Sequence, residues 1–491
     1  MNVGPDYQDP KLKVSKSWLY ASKRNNASVK EAKLKHANWW KIFNDKTLNT
    51  LILKSYQDNL NLQISGVRVL FARANLALSI GEQFPQQQAL TASSEYNYMG
   101  GSSLGTLLPS SFRTNSLGFG TSWEVDFWGK YRRAVQSSDA SFLASMAAYD
   151  NILVTLIADV SSTYINIRTY QEKIRVTKKN IVIQQESLSI VNSRYHSGQT
   201  SQLDVEQAKT QLGQTQAQLP SQVASMNMQK NKLSLLLGMV PNQIKPFLKD
   251  HQSIPLAPKQ IEIGIPKEML AQRPDVAEAR LQAMASSAMI GTTKAQLYPA
   301  FSLSGTFNFS SNDIGNNSLS DLFSWSSRSI NAGPSFSWPI FNYGRIINSV
   351  RMKDASFQEA LLNYENVVLT AQKEVQDAIT QYVQLKKIII ILERTNRSAK
   401  SSTRLALVRY KNGETSYTSV LDALKEQLQV QSNLTQSKGD IDLALTGLFR
   451  ALGGGWQLRV GHDVISLDIK QQMAKRTNWG SLLGKLPAAA T

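Results

Sequence analysis

The chain has 491 residues, well above one typical domain, and its 42% apolar share excludes a largely disordered chain. It contains no cysteine, which excludes disulfides, thiolate zinc sites and cysteine nucleophiles. The chain has 54 Lys and Arg residues against 36 Asp and Glu residues. The resulting formal charge of +18 is compatible with nucleic acid or an anionic membrane surface as a binding partner.

The beginning of the chain gives no targeting signal. Residues Met1 to Tyr7 lack the basic start and apolar stretch of a signal peptide, which leaves a cytoplasmic protein or a trimmed mature form open. The longest unbroken apolar run, Ile388 to Leu392, is far shorter than the roughly 20 residues of a spanning helix. The sequence therefore predicts that the chain does not cross a bilayer as helices.

Four segments alternate apolar and polar residues with a period of two, which predicts β-strands. The segments are Leu90 to Tyr98, Leu117 to Asp126, Phe301 to Ser310 and Ile330 to Ile340. The loops between them, Gly100 to Thr114 and Ser311 to Arg328, are rich in Ser, Gly and Asn and suit exposed hairpin ends. A soluble sheet with one face on a core is one interpretation, and a membrane barrel wall, aromatic outside and hydroxylated inside, is the other. Since the smallest such barrels have about eight strands, several chains would have to contribute.

Long helices follow the strands directly. Tyr131 to Ser193 has no Gly or Pro and repeats apolar residues at three and four, which predicts one helix of roughly 90 Å. A glycine, Gly198, ends this pattern, and a second helical pattern runs from about Leu203 to Gly238. The strands lead straight into helices too long for a globule, and this favours the barrel interpretation.

The sequence contains an internal repeat. Trp123 recurs as Trp338 at a shift of 215, and the same shift carries Asp139 to Phe142 onto Asp354 to Phe357. The motif Arg-Tyr-x-x-Gly-x-Thr-Ser occurs once in each half at that shift. The chain is thus predicted to hold two similar units, each ending in a helical hairpin with this motif at its tip.

Two basic stretches lie in the predicted hairpins. Lys386 to Lys411 holds eight Lys or Arg against one acid, and Arg168 to Arg194 holds six against two. A solvated helix face and a docking surface for a partner both stay open, whereas nucleic-acid binding is disfavoured because no binding module accompanies the charge.

No catalytic constellation is visible in the sequence. The four histidines, which have no close partner histidine or cysteine, are His36, His196, His251 and His462. Gly480 to Lys485 resembles a phosphate-binding loop, but three residues separate its glycines where that motif has four. We therefore predict no enzyme activity, no cofactor and no metal.

Four features together resemble the TolC-like outer-membrane efflux channels of tripartite resistance-nodulation-division systems. They are the segments Val3 to Tyr7, Trp39 to Asp45 and Gln272 to Val276, and the paired Arg-Tyr-x-x-Gly tips. The resemblance implies a mixed, mostly α-helical fold in a homotrimer. Four strands per chain make a 12-stranded transmembrane β-barrel, which a long periplasmic α-helical barrel continues.

The resemblance also implies a division of the chain. Residues 1–44, 241–264 and 455–491 are expected to form a belt around the middle of the tunnel. Residues 45–240 and 265–454 are expected to be the two repeats, each with a helix, two strands and a long helical hairpin. Met1 and Asn2 stand where members of this branch carry a lipidated cysteine, so the sequence leaves lipidation open.

The function implied is the passive exit duct of a multidrug or metal efflux pump in the outer membrane of a Gram-negative bacterium. Its partners are outer-membrane lipid, a periplasmic adaptor and an inner-membrane pump, and not nucleic acid. A periplasmic coiled-coil adaptor or scaffold, and the exit duct of type I protein secretion, are the alternatives.

The resemblance assigns roles to the hairpin tips. Related channels often carry an aspartate two residues after the second tip glycine, where this chain has Thr415. The expected gate or aperture residues are Thr200, Ser201, Asp204, Glu414, Thr415, Ser416 and Asp422. The residues expected to shape the tips and dock the adaptor are Arg194, Tyr195, Gly198, Arg409, Tyr410 and Gly413.

Overall fold

The computed structural model describes residues 1–18, 29–31, 37–98, 110–248, 253–255, 258, 261–263, 270–314 and 319–485. Most of these residues are helical. The helices are α1 Lys46–Asp58, α2 Leu60–Gly81, α3 Lys130–His196, α4 Gln202–Leu236, α5 Pro274–Lys294, α6 Arg345–Lys411, α7 Tyr417–Ala451 and α8 Leu467–Arg476. The strands are β1 Val29–Glu31, β2 Gln87–Tyr98, β3 Ser111–Val125, β4 Ile261–Ile263, β5 Ala300–Asn312 and β6 Arg328–Ser337.

The internal repeat is confirmed at the level of element boundaries. Helices α3 and α6 each have 67 residues, and α4 and α7 each have 35. Each of the four helix ends in the first repeat maps onto its counterpart at the shift of 215 read from the sequence. At 1.5 Å per residue, the two longer helices are each about 100 Å long.

The four predicted strands form one antiparallel sheet in the order β2-β3-β5-β6. The central pair joins the two repeats, with Phe119 opposite Phe307 and Trp123 opposite Leu303. Among the described residues, β2 and β6 each pair on one side only. Strand β3 begins at Ser111, six residues before the predicted Leu117, so the end of the loop predicted from Gly100 to Thr114 is strand; β6 ends at Ser337, three residues earlier than predicted. Residues 100–109 of that loop lie outside the described residues, as do His36 and His251.

One of two units into which the chain divides comprises Met1–Lys11, Val69–Ser145 and Glu278–Tyr364 and contains the four-stranded sheet. Its first residues lie against α3 and α5. A Cβ on Gly4 would stand 2.5 Å from the Gly291 Cα, so this close approach requires glycine. The guanidinium of Arg133 on α3 donates to the Asp6 carboxylate at 2.7 Å, and this bond holds the N-terminal segment against α3 two residues after Gly4.

The other unit comprises Leu12–Arg68, Met146–Ala277 and Glu365–Thr491 and contains the hairpin tips. Its core includes Trp39, which stacks on Phe449 with ring centroids 5.1 Å apart. A short parallel pair, β1 with β4, also belongs to it. Arg459 donates to both oxygens of Asp150 at 2.5 and 2.9 Å in a buried ion pair, so residues near the end of the chain are fixed to α3.

Two helices of the described chain, α2 and α3, are long and apolar enough to span a membrane. The criterion of an unbroken apolar run missed them, because hydroxyl and amide residues interrupt both. A core helix passes the same test, and 56% of the apolar window of α3 is buried inside the protein. Length and composition alone therefore do not assign either helix to a membrane.

Candidate functional site: the tips of the two helical hairpins

The first hairpin tip is a helix stop built around Gly198. The Gly198 N–H donates to the Tyr195 carbonyl at 2.9 Å, and the Gln199 N–H donates to the Arg194 carbonyl at 2.8 Å. These two bonds form a Schellman motif, which satisfies the last carbonyls of α3. The glycine has a φ of +72°, a conformation that side chains disfavour. The sequence motif therefore encodes the turn directly.

The second tip repeats this geometry around Gly413. Its N–H donates to the Tyr410 carbonyl at 3.0 Å, the Glu414 N–H donates to the Arg409 carbonyl at 2.8 Å, and φ is +85°. Both turns therefore have the same backbone. Each is followed by a serine at the helix N-cap, and neither Ser201 nor Ser416 makes a side-chain capping bond.

The contacts of the two tips differ although both carry the same Arg-Tyr-x-x-Gly-x-Thr-Ser motif. Tyr410 is 3% exposed, whereas its counterpart Tyr195 is 39% exposed. The Arg194 guanidinium lies over the Tyr410 ring, 4.7 Å from its centroid, and donates to the Tyr410 main-chain carbonyl. By contrast, Arg409 forms an exposed ion pair of 3.5 Å with Glu414 on its own turn. The first arginine therefore joins the two tips, and the second does not.

An apolar cluster lies behind the tips and joins all four helices of the hairpins. Tyr410 and Tyr417 pack edge to face, with ring centroids 5.3 Å apart. Burial raises the pKa of the Tyr417 hydroxyl, which lies 3.4 Å from the Ser187 hydroxyl. The buried members of the cluster are Val191, Val205, Ala208, Tyr410, Tyr417, Val420, Leu421 and Leu424.

Part of the predicted gate set comes together at the first turn. The Thr200 hydroxyl, just before α4, donates to the Asp204 carboxylate in the first turn of that helix. The Tyr410 hydroxyl donates to Thr200 at 3.4 Å, so this polar pair from one hairpin contacts the buried tyrosine of the other. Asp204 also lies at a helix N-terminus, where a negative charge is stabilised.

The remaining gate candidates lie apart from that cluster. The Thr415 hydroxyl donates to Ser419 at 3.1 Å, and Glu414 is held by Arg409. Asp422 is exposed on α7 and forms no ion pair with the described residues. The structure thus brings Thr200 and Asp204 to the contact between hairpins and leaves Glu414 and Asp422 exposed on the second hairpin.

Sequence reasoning missed Tyr417 and Ser187. The signal for Tyr417 was a difference between the repeats, because Gln202 occupies the equivalent position in the first unit. A search for identities at the 215-residue shift discards such positions. Ser187 has an identical counterpart, Ser402, so the comparison of the repeats gave no signal for it.

No group of three or more His, Cys, Asp or Glu residues suited to a metal occurs in the part of the chain that the structure describes. The described histidine at the tip, His196, packs beside the Tyr195 ring at 5.9 Å between centroids. The site is therefore a set of turns, ring contacts and charged side chains that hold two hairpins together. The chain is therefore of a class in which a four-stranded antiparallel sheet is combined with two long helical hairpins.

Comparison with known proteins defines that class further. The model of the family described as outer membrane efflux protein matches residues 51–239 and 265–454, one match for each repeat. The chain belongs to this family. It is therefore an outer-membrane efflux protein with the role of an exit duct, and the prediction that it is not an enzyme is confirmed by the family.

Relatives match nearly the whole chain. The cation efflux system protein CusC of Escherichia coli is 28% identical over 93% of this chain and 96% of its own length. The toluene efflux pump outer membrane protein TtgI of Pseudomonas putida is 29% identical over 92% of this chain and 95% of its own. The solved outer-membrane channel OprN is 29% identical, covers 93% of this chain and 99% of its own, and superposes with a TM-score of 0.86.

Proposed function

We propose that three copies of the chain form one 12-stranded barrel in the outer membrane of a Gram-negative bacterium and that this barrel is the passive exit duct of a tripartite efflux pump. The sheet carries this proposal. Its edge strands β2 and β6 pair on one side only among the described residues, and large apolar side chains stand exposed on both, among them Leu90, Tyr96 and Phe336. Open apolar edges are liabilities unless further strands close them.

The helical part supports association of several copies. Helix α2 exposes Ile64, Val67, Phe71 and Leu78, which lie near one face at helical spacing. A stripe of this kind suits burial against a second copy. In the proposed assembly, the hairpins form the periplasmic tunnel and residues 1–44, 241–264 and 455–491 form its belt.

The tips are proposed to gate the duct and to dock an adaptor. The contact of Arg194 with Tyr410, together with Thr200 and Asp204, holds the two hairpins of one chain together, and separating them widens the entrance. Contact with a periplasmic adaptor and an inner-membrane pump supplies the opening force, since the duct performs no chemistry. The relatives named for cation, solvent and toluene efflux favour efflux of drugs or metals over type I protein secretion.

Crosslinking tests the proposed assembly, because a chain without cysteine accepts engineered pairs without background. The variant Thr91→Cys with Ser329→Cys places one thiol on each open edge strand. With a flexible bis-maleimide, we expect covalent dimers and trimers of protein purified in detergent.

The matched control is Ser116→Cys with Ser310→Cys, because these residues are partners within one sheet and should link only inside a copy. A single-copy mass for the edge pair under conditions that modify both thiols overturns the trimer. Ohmic conductance of the purified protein in planar bilayers then tests the duct itself, and its absence overturns the passive pathway.

A further inference from the structure

The two basic stretches found in the sequence converge on one cavity. It has a volume of about 570 Å³ and lies between α3, α6 and α7 in the unit that contains the tips. Arg175 and Lys179 reach it from the first stretch, Lys400 and Arg404 from the second, and Lys438 from α7. Charges that are more than 200 positions apart in the sequence therefore share one concave wall.

The cavity wall is cationic after its internal ion pairs are taken into account. Five cationic side chains face two acidic ones, Glu172 and Glu186, which leaves a net charge of +3. Arg175 pairs with Glu172, and Lys438 pairs with Glu393 at 3.0 Å outside the cavity. Once both pairs are discounted, the three remaining cations and Glu186, which forms no ion pair with the described residues, leave a net charge of +2 on the wall.

Those cations are Lys179, Lys400 and Arg404. None forms an ion pair with any residue that the structure describes, and all three are exposed at the rim. Cations around a concave, partly apolar wall concentrate anions there more strongly than the same charges on an open helix face. Arg404 also presents a planar fork of donors, which matches a carboxylate or sulfonate.

The floor of the cavity combines apolar and hydrogen-bonding groups. Leu434 is 8% exposed and Thr403 is 3% exposed, and the less buried Ile183 and Leu407 line the wall beside them. The amide oxygen of Asn396 is buried without a hydrogen-bond partner, so it is left to accept a bond from a ligand donor. An apolar floor below a cationic rim fits a molecule with an apolar body and an acidic end.

We propose that this cavity is a binding site for small organic anions, in which an aromatic or aliphatic body rests on Leu434 and Ile183 while Lys400 and Arg404 hold the carboxylate or sulfonate. Its volume lies within the range of drug-sized pockets, roughly 300–1,000 Å³. Binding of an anion at equilibrium does not require transport through the barrel. The binding site can therefore be tested independently of the proposed duct function.

Fluorescence anisotropy of carboxyfluorescein with the purified full-length protein in a neutral detergent tests the site, with detergent alone as blank. Carboxyfluorescein is an aromatic anion, and we expect saturable binding that weakens as salt is added. Cationic rhodamine has the same xanthene body, and we expect it to bind at least about tenfold more weakly because the rim repels it.

The double variant Lys400→Gln with Arg404→Gln should weaken carboxyfluorescein binding at least about tenfold. Its matched control is Lys387→Gln with Arg397→Gln, which removes the same charge from exposed positions of α6 outside the cavity and should stay within about twofold. Circular dichroism checks that both variants are folded. Equal weakening in both variants, equal binding of rhodamine, or no saturable binding overturns the proposal.

Discussion

Replacing Arg194 by alanine should loosen the contact between the hairpins far more than replacing Arg409, its counterpart in the repeat. The Arg194 side chain crosses from one hairpin to the other, where it donates to the Tyr410 carbonyl and covers the Tyr410 ring at 4.7 Å. Arg409 contacts only Glu414 on its own turn. The variants Arg194→Ala and Arg409→Ala therefore form a matched pair with identical chemistry and different contacts.

The size of the difference follows from the contacts. A hydrogen bond from a charged donor contributes about 1.5–3 kcal/mol, and a cation over an aromatic ring about 0.5–2 kcal/mol. The two interactions act through one side chain and are not additive, so we take about 2 kcal/mol as the free energy by which Arg194 stabilises the contact between the tips. This free energy corresponds to a factor of about 30 in the equilibrium between joined and separated tips. The ion pair of Arg409 is 62% exposed on the arginine side, and exposed pairs contribute about 0–1 kcal/mol.

Under the proposed gating role, planar-bilayer recording reports this equilibrium as resting conductance. We expect Arg194→Ala to raise the resting conductance or the open fraction severalfold more than Arg409→Ala. The thermal stability of the purified variants serves as a check that each is folded. Equal effects of the two substitutions, or a larger effect of Arg409→Ala, would refute the assignment of the tip contact to Arg194.

Two further predictions concern stability. Gly439→Ala should destabilise the protein by about 1–3 kcal/mol, because its Cβ would stand 2.2 Å from the Thr169 hydroxyl oxygen, whereas Gly447→Ala on the same helix meets nothing within 4 Å and should be neutral or stabilising in urea unfolding. The Arg280 guanidinium lowers the pKa of Asp9, so the folded chain binds fewer protons than the unfolded chain between the two pKa values. The stability that this ion pair contributes should be present above about pH 4 and lost as the pH falls through the lowered pKa of Asp9. Limited proteolysis of the N-terminal segment should therefore increase at low pH, and Asp9→Asn should remove this pH dependence. The same pH profile in the variant and the unsubstituted protein would contradict the role of the pair.

Much of the fold could be predicted because it depends on local, repeated signals. Period-two alternation located all four long strands, and the glycines Gly198 and Gly413 located the ends of the long helices. Some strand ends were misplaced. Strand β3 begins six residues before the predicted Leu117, and β6 ends three residues early because Pro339 and the residues around it continue the alternation after the sheet has ended. Alternation records which residues are apolar and does not record where pairing stops.

The candidate site was predictable in its position but not in its contacts. The tip motif identified both turns, and the family assignment agrees with the predicted class of protein. The motif could not indicate that Tyr410 is buried while Tyr195 is exposed, because both tips carry the same motif. That difference depends on what lies opposite each ring.

The sequence by itself determined the repeat and the type and approximate extent of the long helices and strands, because helix length, strand period and glycine turns are set by residues close together in the chain. Its resemblance to a known family indicated the class of protein. Only the tertiary structure decided which arginine joins the hairpins and which basic residues share a cavity. These outcomes depend on side chains more than 200 positions apart, Arg194 with Tyr410 and Lys179 with Lys400, and no local pattern records such a pairing.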